Sequence, residues 1–220
     1  MKIPVVKEIL SANDRIAAEN RAVFDAAGVF VLNIMASPGA GKTSLILATA
    51  DQLPAGVHPG VIEGDLASTI DADTIAARGI PVVQINTGGN CHLDAPMIRT
   101  VLSDLPLNEI NLLFIENVGN LVCPANFALG ADRAVVVASV PEGHDKPYKY
   151  PGMFASADAV ILNKADLLEV FGFDVEYFRH GLEMLNPGVP LFVVSCRTGA
   201  GLADWMSWLL SSVSKTAITN

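Results

Sequence analysis

An eight-residue glycine loop, Ala36-Ser37-Pro38-Gly39-Ala40-Gly41-Lys42-Thr43, follows the strand-length apolar run Val29 to Met35 and precedes Ser44 to Gln52, which has helical character. Strand, glycine loop and helix in that order match the phosphate-loop pattern G-x-x-x-x-G-K-[ST], with Ala36 standing where the first glycine is usual. Gly39 and Gly41 let consecutive backbone N–H groups point at phosphate oxygens, and the N-terminus of the following helix adds the positive end of its dipole. Gly39, Ala40, Gly41, Lys42, Thr43 and Ser44 are therefore the expected phosphate cradle. Lys42 neutralises charge on the outer phosphates, and the Thr43 hydroxyl ligates a Mg²⁺ that bridges them.

The rest of the chain repeats the same alternation. Strands are expected at Gly60 to Glu63, Pro81 to Ile85, Leu112 to Glu116, Ala134 to Ser139, Ala159 to Asn163 and Leu191 to Ser195. Helical segments fall between them near 70 to 78, 94 to 104 and 174 to 185, with a last one at 202 to 213. Such βαβ units give an α/β fold of the phosphate-loop NTPase (G domain) kind: a mostly parallel sheet flanked by helices, with ligands at the carboxyl ends of the strands. The composition agrees, since 51% of residues are hydrophobic and only 6% aromatic, as suits buried parallel strands. Ser11 opens an S-x-x-D start signal, and apolar residues then recur at helical spacing up to Gly28, a plausible stop. The expected organisation is a helical extension over 1–27 packed on the domain, the nucleotide domain over 28–213 and a frayed tail over 214–220.

A net charge of −9 disfavours nucleic acid, whose affinity is built from Lys and Arg on phosphates. The longest apolar runs are strand-length, so no membrane segment is expected, and the start has one Lys and no signal-peptide core. The three cysteines follow no disulfide spacing, and reduced thiols fit the cytoplasmic location that these features imply.

Asn163-Lys164-Ala165-Asp166 follows a strand and resembles the guanine-specificity motif N-K-x-D. Guanine presents an N1–H and an N2 amino group together, so the Asp166 carboxylate can accept both, whereas adenine leaves it poorly paired. Lys164 can lay its aliphatic stem over the base while Asn163 reaches the purine edge and tethers the phosphate loop. Ser195-Cys196-Arg197-Thr198-Gly199 resembles the loop whose backbone N–H contacts guanine O6, which leaves Cys196 a packing or backbone role.

The apolar strand ending at Glu116 reads as a Walker-B-like segment that brings a carboxylate to Mg²⁺. Gly119, three residues on, is expected to offer its backbone N–H to the γ-phosphate, so that loss of the phosphate frees the segment after it. Asp65 is a second candidate for Mg²⁺ or water positioning, and with Lys42 and Glu116 it completes the expected catalytic set. No glutamine stands ready to orient water, and slow intrinsic hydrolysis is expected.

Cys91 and His92 follow the strand Pro81 to Ile85, and Cys123 lies seven residues beyond Glu116. If the two segments end on adjacent parallel strands, the three side chains converge on one soft-donor site suited to Zn²⁺ or Ni²⁺. Three ligands leave the coordination incomplete, to be finished by water or by a second copy of the chain. The alternative is that both cysteines merely pack as small hydrophobes. His58, His144 and His180 are isolated and receive no role.

With these stretches in hand, the whole chain resembles the HypB family, nickel-inserting GTPases of [NiFe]-hydrogenase maturation. The resemblance is carried by A-S-P-G-A-G-K-T-S-L-I, E-G-D-L-A-S-T, T-G-G-N-C-H-L-D-A, F-I-E-N-V-G-N-L-V-C-P, V-P-E-G-H-D-K-P-Y-K-Y-P and N-K-A-D-L. It implies a signal-recognition-type (SIMIBI) fold, GTP and Mg²⁺, GTP-dependent homodimerisation, and nickel or zinc at Cys91, His92 and Cys123. Implied partners are hydrogenase accessory proteins and the hydrogenase large subunit. The chain departs from part of the family in having no Cys-rich motif or His-rich tract before Ser11, which argues against high-affinity nickel storage. Lys146 and Lys149 reach nucleotide or partner across the dimer, or belong to a solvated loop. Three other readings stay open: a urease accessory GTPase, whose metal motif runs C-P-H, a GTP-regulated interaction switch without metal, and a P-loop kinase.

Overall fold

Seven parallel strands carry the chain: β1 Phe30–Ala36, β2 Pro59–Asp65, β3 Val82–Asn86, β4 Leu112–Glu116, β5 Arg133–Ser139, β6 Ala159–Asn163 and β7 Leu191–Val193. The sheet order is β3-β2-β4-β1-β5-β6-β7. A computed structural model describes residues 5–219, and the side chains of 11–214. All seven residues of β1 are buried, because the strand is central in the sheet and both of its faces are covered.

Nine α-helices are described: α1 Val5–Ala27, α2 Lys42–Ala50, α3 Ile70–Ala76, α4 Ala95–Val101, α5 Lys146–Lys149, α6 Pro151–Ala155, α7 Leu168–Phe171, α8 Val175–Leu185 and α9 Leu202–Thr219. Alternate residues of β1 serve opposite layers. Phe30, Leu32 and Ile34 share one apolar cluster with Leu45 and Ile46 of α2 and Trp205 and Leu209 of α9. Val31 packs in a second cluster with Phe24 of α1 and Ile98 of α4, and Met35 in a third with Phe154 of α6 and Phe178 of α8. Among the described residues no helix is long and apolar enough to cross a membrane.

The chain's ends differ from the sequence-based expectation. Ser11 does not open α1, which already begins at Val5, since neither glycine nor proline interrupts 5–11. Gly28, at φ +69°, closes the helix, its N–H bonding Asp25 O while Val29 N–H reaches back to Phe24 O. Two buried asparagines fasten α1: Asn13 Nδ2 donates to Ala128 O and Asn20 Nδ2 to Ala95 O, both at 2.9 Å. Helix α9 runs to Thr219, through most of the stretch expected as a tail. The last strand stops at Val193, two residues early, because Ser195 is already bonded within the following loop.

One expectation fails on topology. The segments bearing Cys91 and Cys123 follow β3 and β4, which are not neighbours, because β2 lies between them. They meet by arching over the end of β2, where a Cβ on Gly64 would stand 2.7 Å from Leu93. The side chain missing there makes room for the loop that presents His92.

Candidate nucleotide and metal site

The phosphate loop joins β1 to α2 with Gly39 at φ +75° and Gly41, the residue capping α2, at φ +100°. Gly41 is required twice over, since a Cβ would also meet Asn163 Nδ2 at 2.4 Å. Asn163, itself buried, donates from Nδ2 to Ala40 O at 3.1 Å, while its Oδ1 accepts from Lys164 N and Cys196 N. Lys164 takes a left-handed conformation, φ 62°, and its Nζ donates to Gly39 O at 2.7 Å. The N-K-x-D segment therefore grips the phosphate loop from the side.

Asp166 accepts a hydrogen bond from Ser195 Oγ at 2.6 Å, and that bond holds its carboxyl below the usual range, aided by nearby Arg197. A cavity of about 320 Å³ opens here, lined by Gly41, Ser44, Asn163, Lys164, Asp166, Leu167, Cys196 and Arg197. Burial pushes the Cys196 thiol up to about 11, so at neutral pH it is a packing group.

On the phosphate side, Thr43 Oγ1 donates to Glu116 Oε1 at 2.8 Å, and Lys42 Nζ lies 3.9 Å from the same oxygen. Glu116 is nearly inaccessible, and burial raises its carboxyl to about 7 against the lowering pull of Lys42 and Thr43. Its other oxygen, Oε2, has no partner, and neither has Oε2 of Glu63, its register neighbour on β2. Burial first, and then Glu116, push the Glu63 carboxyl up to about 8. The unsatisfied Glu116 oxygen beside the Thr43 hydroxyl forms an oxygen donor set that fits Mg²⁺, with Glu63 next to it on the neighbouring strand. Asp65 stands at the end of the same strand, its Oδ1 accepting from the N–H groups of Ala67 and Ser68, which hold its carboxyl low.

Past Glu116 the chain stays against β1. Asn117 N bonds Ile34 O and Asn120 N bonds Ala36 O at 2.7 Å. Between them Gly119 presses on the phosphate loop so closely that a Cβ would lie 2.9 Å from Pro38 Cα. The same asparagines hold the opposite loop: Leu93 N donates to Asn117 Oδ1 at 3.0 Å, and Asn120 Nδ2 donates to Cys91 O at 3.2 Å.

Those bonds frame the metal-type cluster. Cys91 Sγ lies 3.1 Å from Cys123 Sγ and 3.8 Å from His92 Nδ1, and one donor atom from each residue falls within 4.8 Å of the others. The His92 ring stacks on Phe127 at 3.9 Å, and partial burial holds its pKa below the usual value, which favours the neutral, ligating imidazole. Hydrogen bonding with Cys91 raises the Cys123 pKa. A larger cavity of about 530 Å³ lies between α1 and 124–134, but its charged pairs Arg21–Asp132 and Arg133–Asp158 already satisfy one another.

A family model described as CobW/HypB/UreG, nucleotide-binding domain, matches residues 30–193. The hydrogenase maturation factor HypB of Azotobacter vinelandii is 51% identical over 205 residues, covering 93% of this chain and 68% of the relative. This chain belongs to the HypB family. The hydrogenase/urease maturation factor HypB of Helicobacter pylori strain J99 is 44% identical, over 94% of this chain and 87% of its own. A crystal structure of HypB from Helicobacter pylori in complex with nickel superposes with a TM-score of 0.88 at 41% identity, covering 94% of this chain and 97% of that one. HypB from Archaeoglobus fulgidus gives 0.86 at 37% identity, over 92% and 99% of the two chains. The HypB fold of this chain is thus that of a P-loop NTPase.

Sequence reasoning passed over two kinds of residue in this HypB-family site. Glu63 looked like an ordinary strand end; only the register with Glu116 exposes it. Asn117 and Asn120 lie in F-I-E-N-V-G-N-L-V-C-P, but their hydrogen bonds depend on strand order. Lys146 and Lys149 lie in α5, where Lys149 Nζ pairs with Asp145 at 2.5 Å and Lys146 Nζ sits 5.4 Å from the Tyr150 ring centre.

Proposed function

We propose that this chain binds and slowly hydrolyses GTP with Mg²⁺, and carries nickel or zinc on Cys91, His92 and Cys123 for insertion of nickel into [NiFe]-hydrogenase. The observation that carries the reading is one short segment. Glu116 meets Thr43, Asn120 meets Ala36 and Cys91, and Cys123 meets Cys91. A change at the phosphates is therefore mechanically joined to the thiols, and the HypB relative crystallised with nickel supports nickel as the cargo.

Guanine preference rests on Asp166, ionised and oriented by Ser195 at the cavity edge. Backbone N–H groups of Gly39 to Ser44 cradle the phosphates, Lys42 takes up the charge that develops on them, and Gly119 N–H serves the γ-phosphate. Mg²⁺, held by Thr43 and Glu116 with Asp65 nearby, supplies further charge neutralisation when bound. The two glutamines of the chain, Gln52 and Gln84, are bonded to the Ala48 and Ser68 carbonyls, which leaves none to orient water and supports a slow intrinsic rate. Three protein ligands leave the cargo ion one open position, filled by water or by a second chain when GTP drives dimerisation.

Equilibrium dialysis with Ni²⁺ and with Zn²⁺ tests this, using GDP or a non-hydrolysable GTP analogue at monomer and dimer concentrations. Metal binding is expected to differ between the nucleotides and to collapse in Cys91→Ala. Equal affinity in both nucleotide states removes the coupling, and full retention by Cys91→Ala removes the site. Competition of ATP against GTP separates this reading from a P-loop kinase.

A further inference from the structure

Glu63 is 2% exposed, carries an oxygen without a partner, and is not accounted for by anything in the phosphate loop itself. Its Cα pairs with that of Glu116 across neighbouring parallel strands, so the two side chains leave the sheet on the same face. That is the face of α2, where Glu116 meets Thr43. Glu116 too has one unpartnered oxygen, so two buried carboxylates lie side by side, each with an oxygen left over. Among the described residues Lys42 is the cation that acts on both, and it sits against the already bonded Oε1 of Glu116. A buried carboxylate beside another, with this little compensation, is costly for folding. It is retained where something absent from the free protein completes it.

Sheet order indicates what completes it. From the phosphate loop outward the strands run β1, β4, β2, so Glu63 stands one strand spacing, about 4.8 Å, farther from the loop than Glu116. Thr43 bonds Glu116 and not Glu63, which leaves Glu63 outside the pair that meets the ion directly. That placement suits a group that accepts from water in the cation's hydration shell, most of which Mg²⁺ keeps because it dehydrates reluctantly. We propose that Glu63 is a positioning residue of the Mg²⁺ site, holding metal-bound water from the β2 side and setting the affinity for the ion. The proposal rests on the nucleotide reading above.

The test follows dissociation of fluorescently labelled GDP from the full chain across a Mg²⁺ titration, for wild type, Glu63→Gln and Glu63→Asp. Loss of an outer-shell partner is worth about 10- to 100-fold in metal affinity, so Glu63→Gln is expected to need that much more Mg²⁺ to slow GDP release. Its release rate in EDTA stays at the wild-type value, and its thermal midpoint without Mg²⁺ is no lower. Glu63→Asp, which keeps the charge on a shorter stem, falls between the two. An unchanged Mg²⁺ midpoint in both variants overturns the proposal while leaving nucleotide binding intact. Failure of the wild type to bind GDP overturns the nucleotide reading and the role of Glu63 with it. An equal weakening of GDP in EDTA and in Mg²⁺ assigns Glu63 to general architecture and likewise overturns it.

Discussion

Asp166 is a surface carboxylate aimed by one hydroxyl. Ser195 Oγ occupies its Oδ1 and Arg197 Nη1 lies 3.7 Å from Oδ2, so little reorganisation is needed before the carboxylate accepts from a base. Removing it as Asp166→Ala deletes two hydrogen bonds to a charged acceptor, each worth about 1.5–3 kcal/mol. We expect GTP affinity to fall by at least about 100-fold while ATP affinity is unchanged, and competition against labelled GDP reads both. An equal loss for both nucleotides would mean that Asp166 only supports the loop. Ser195→Ala, which leaves the carboxylate free to rotate, is expected to give a smaller loss with the same selectivity.

At the scale of elements, the segment from Asn117 to Asn120 is a strap laid along the end of β1. Gly119 touches Pro38 with no room for a methyl group, so Gly119→Ala pushes phosphate loop and strap apart. The expected cost is about 1–3 kcal/mol of stability, read by denaturant unfolding, together with weaker binding of both labelled GDP and Ni²⁺. A variant that loses GDP affinity but keeps Ni²⁺ affinity would show that the strap does not join the sites. The elements were legible to differing degrees. Leu112–Glu116 and Ala159–Asn163 stood out at their true bounds because a central parallel strand is apolar throughout. Helices α5 and α6, with 4 and 5 residues around prolines, are too short for any periodicity to form. Ser11 misled because a start signal inside a longer helix looks the same as one at its end. The meeting of Cys91 with Cys123 was legible as chemistry but not as geometry, since nothing in local spacing reveals that β2 comes between their strands.

For the whole molecule, the side that bears the thiols also carries apolar groups facing solvent: Val122 is 60% exposed, Leu66 50% and Ile70 71%. Apolar groups placed around the proposed three-ligand metal site suit contact with a second copy of the chain. We expect Val122→Asp to weaken the proposed GTP-dependent dimerisation, seen by sedimentation velocity, while GDP affinity of the monomer is kept. Unaltered dimerisation would place the contact elsewhere. The cysteines sit 32 positions apart, on loops that no backbone ladder joins directly because β2 intervenes. An ion held by both therefore acts as a detachable crosslink, closing a ring of chain much as a disulfide does but opening without any change of oxidation state. On the proposed metal reading, release of the ion slackens that ring, and the metal-free protein is expected to be the form whose loops a protease cleaves first.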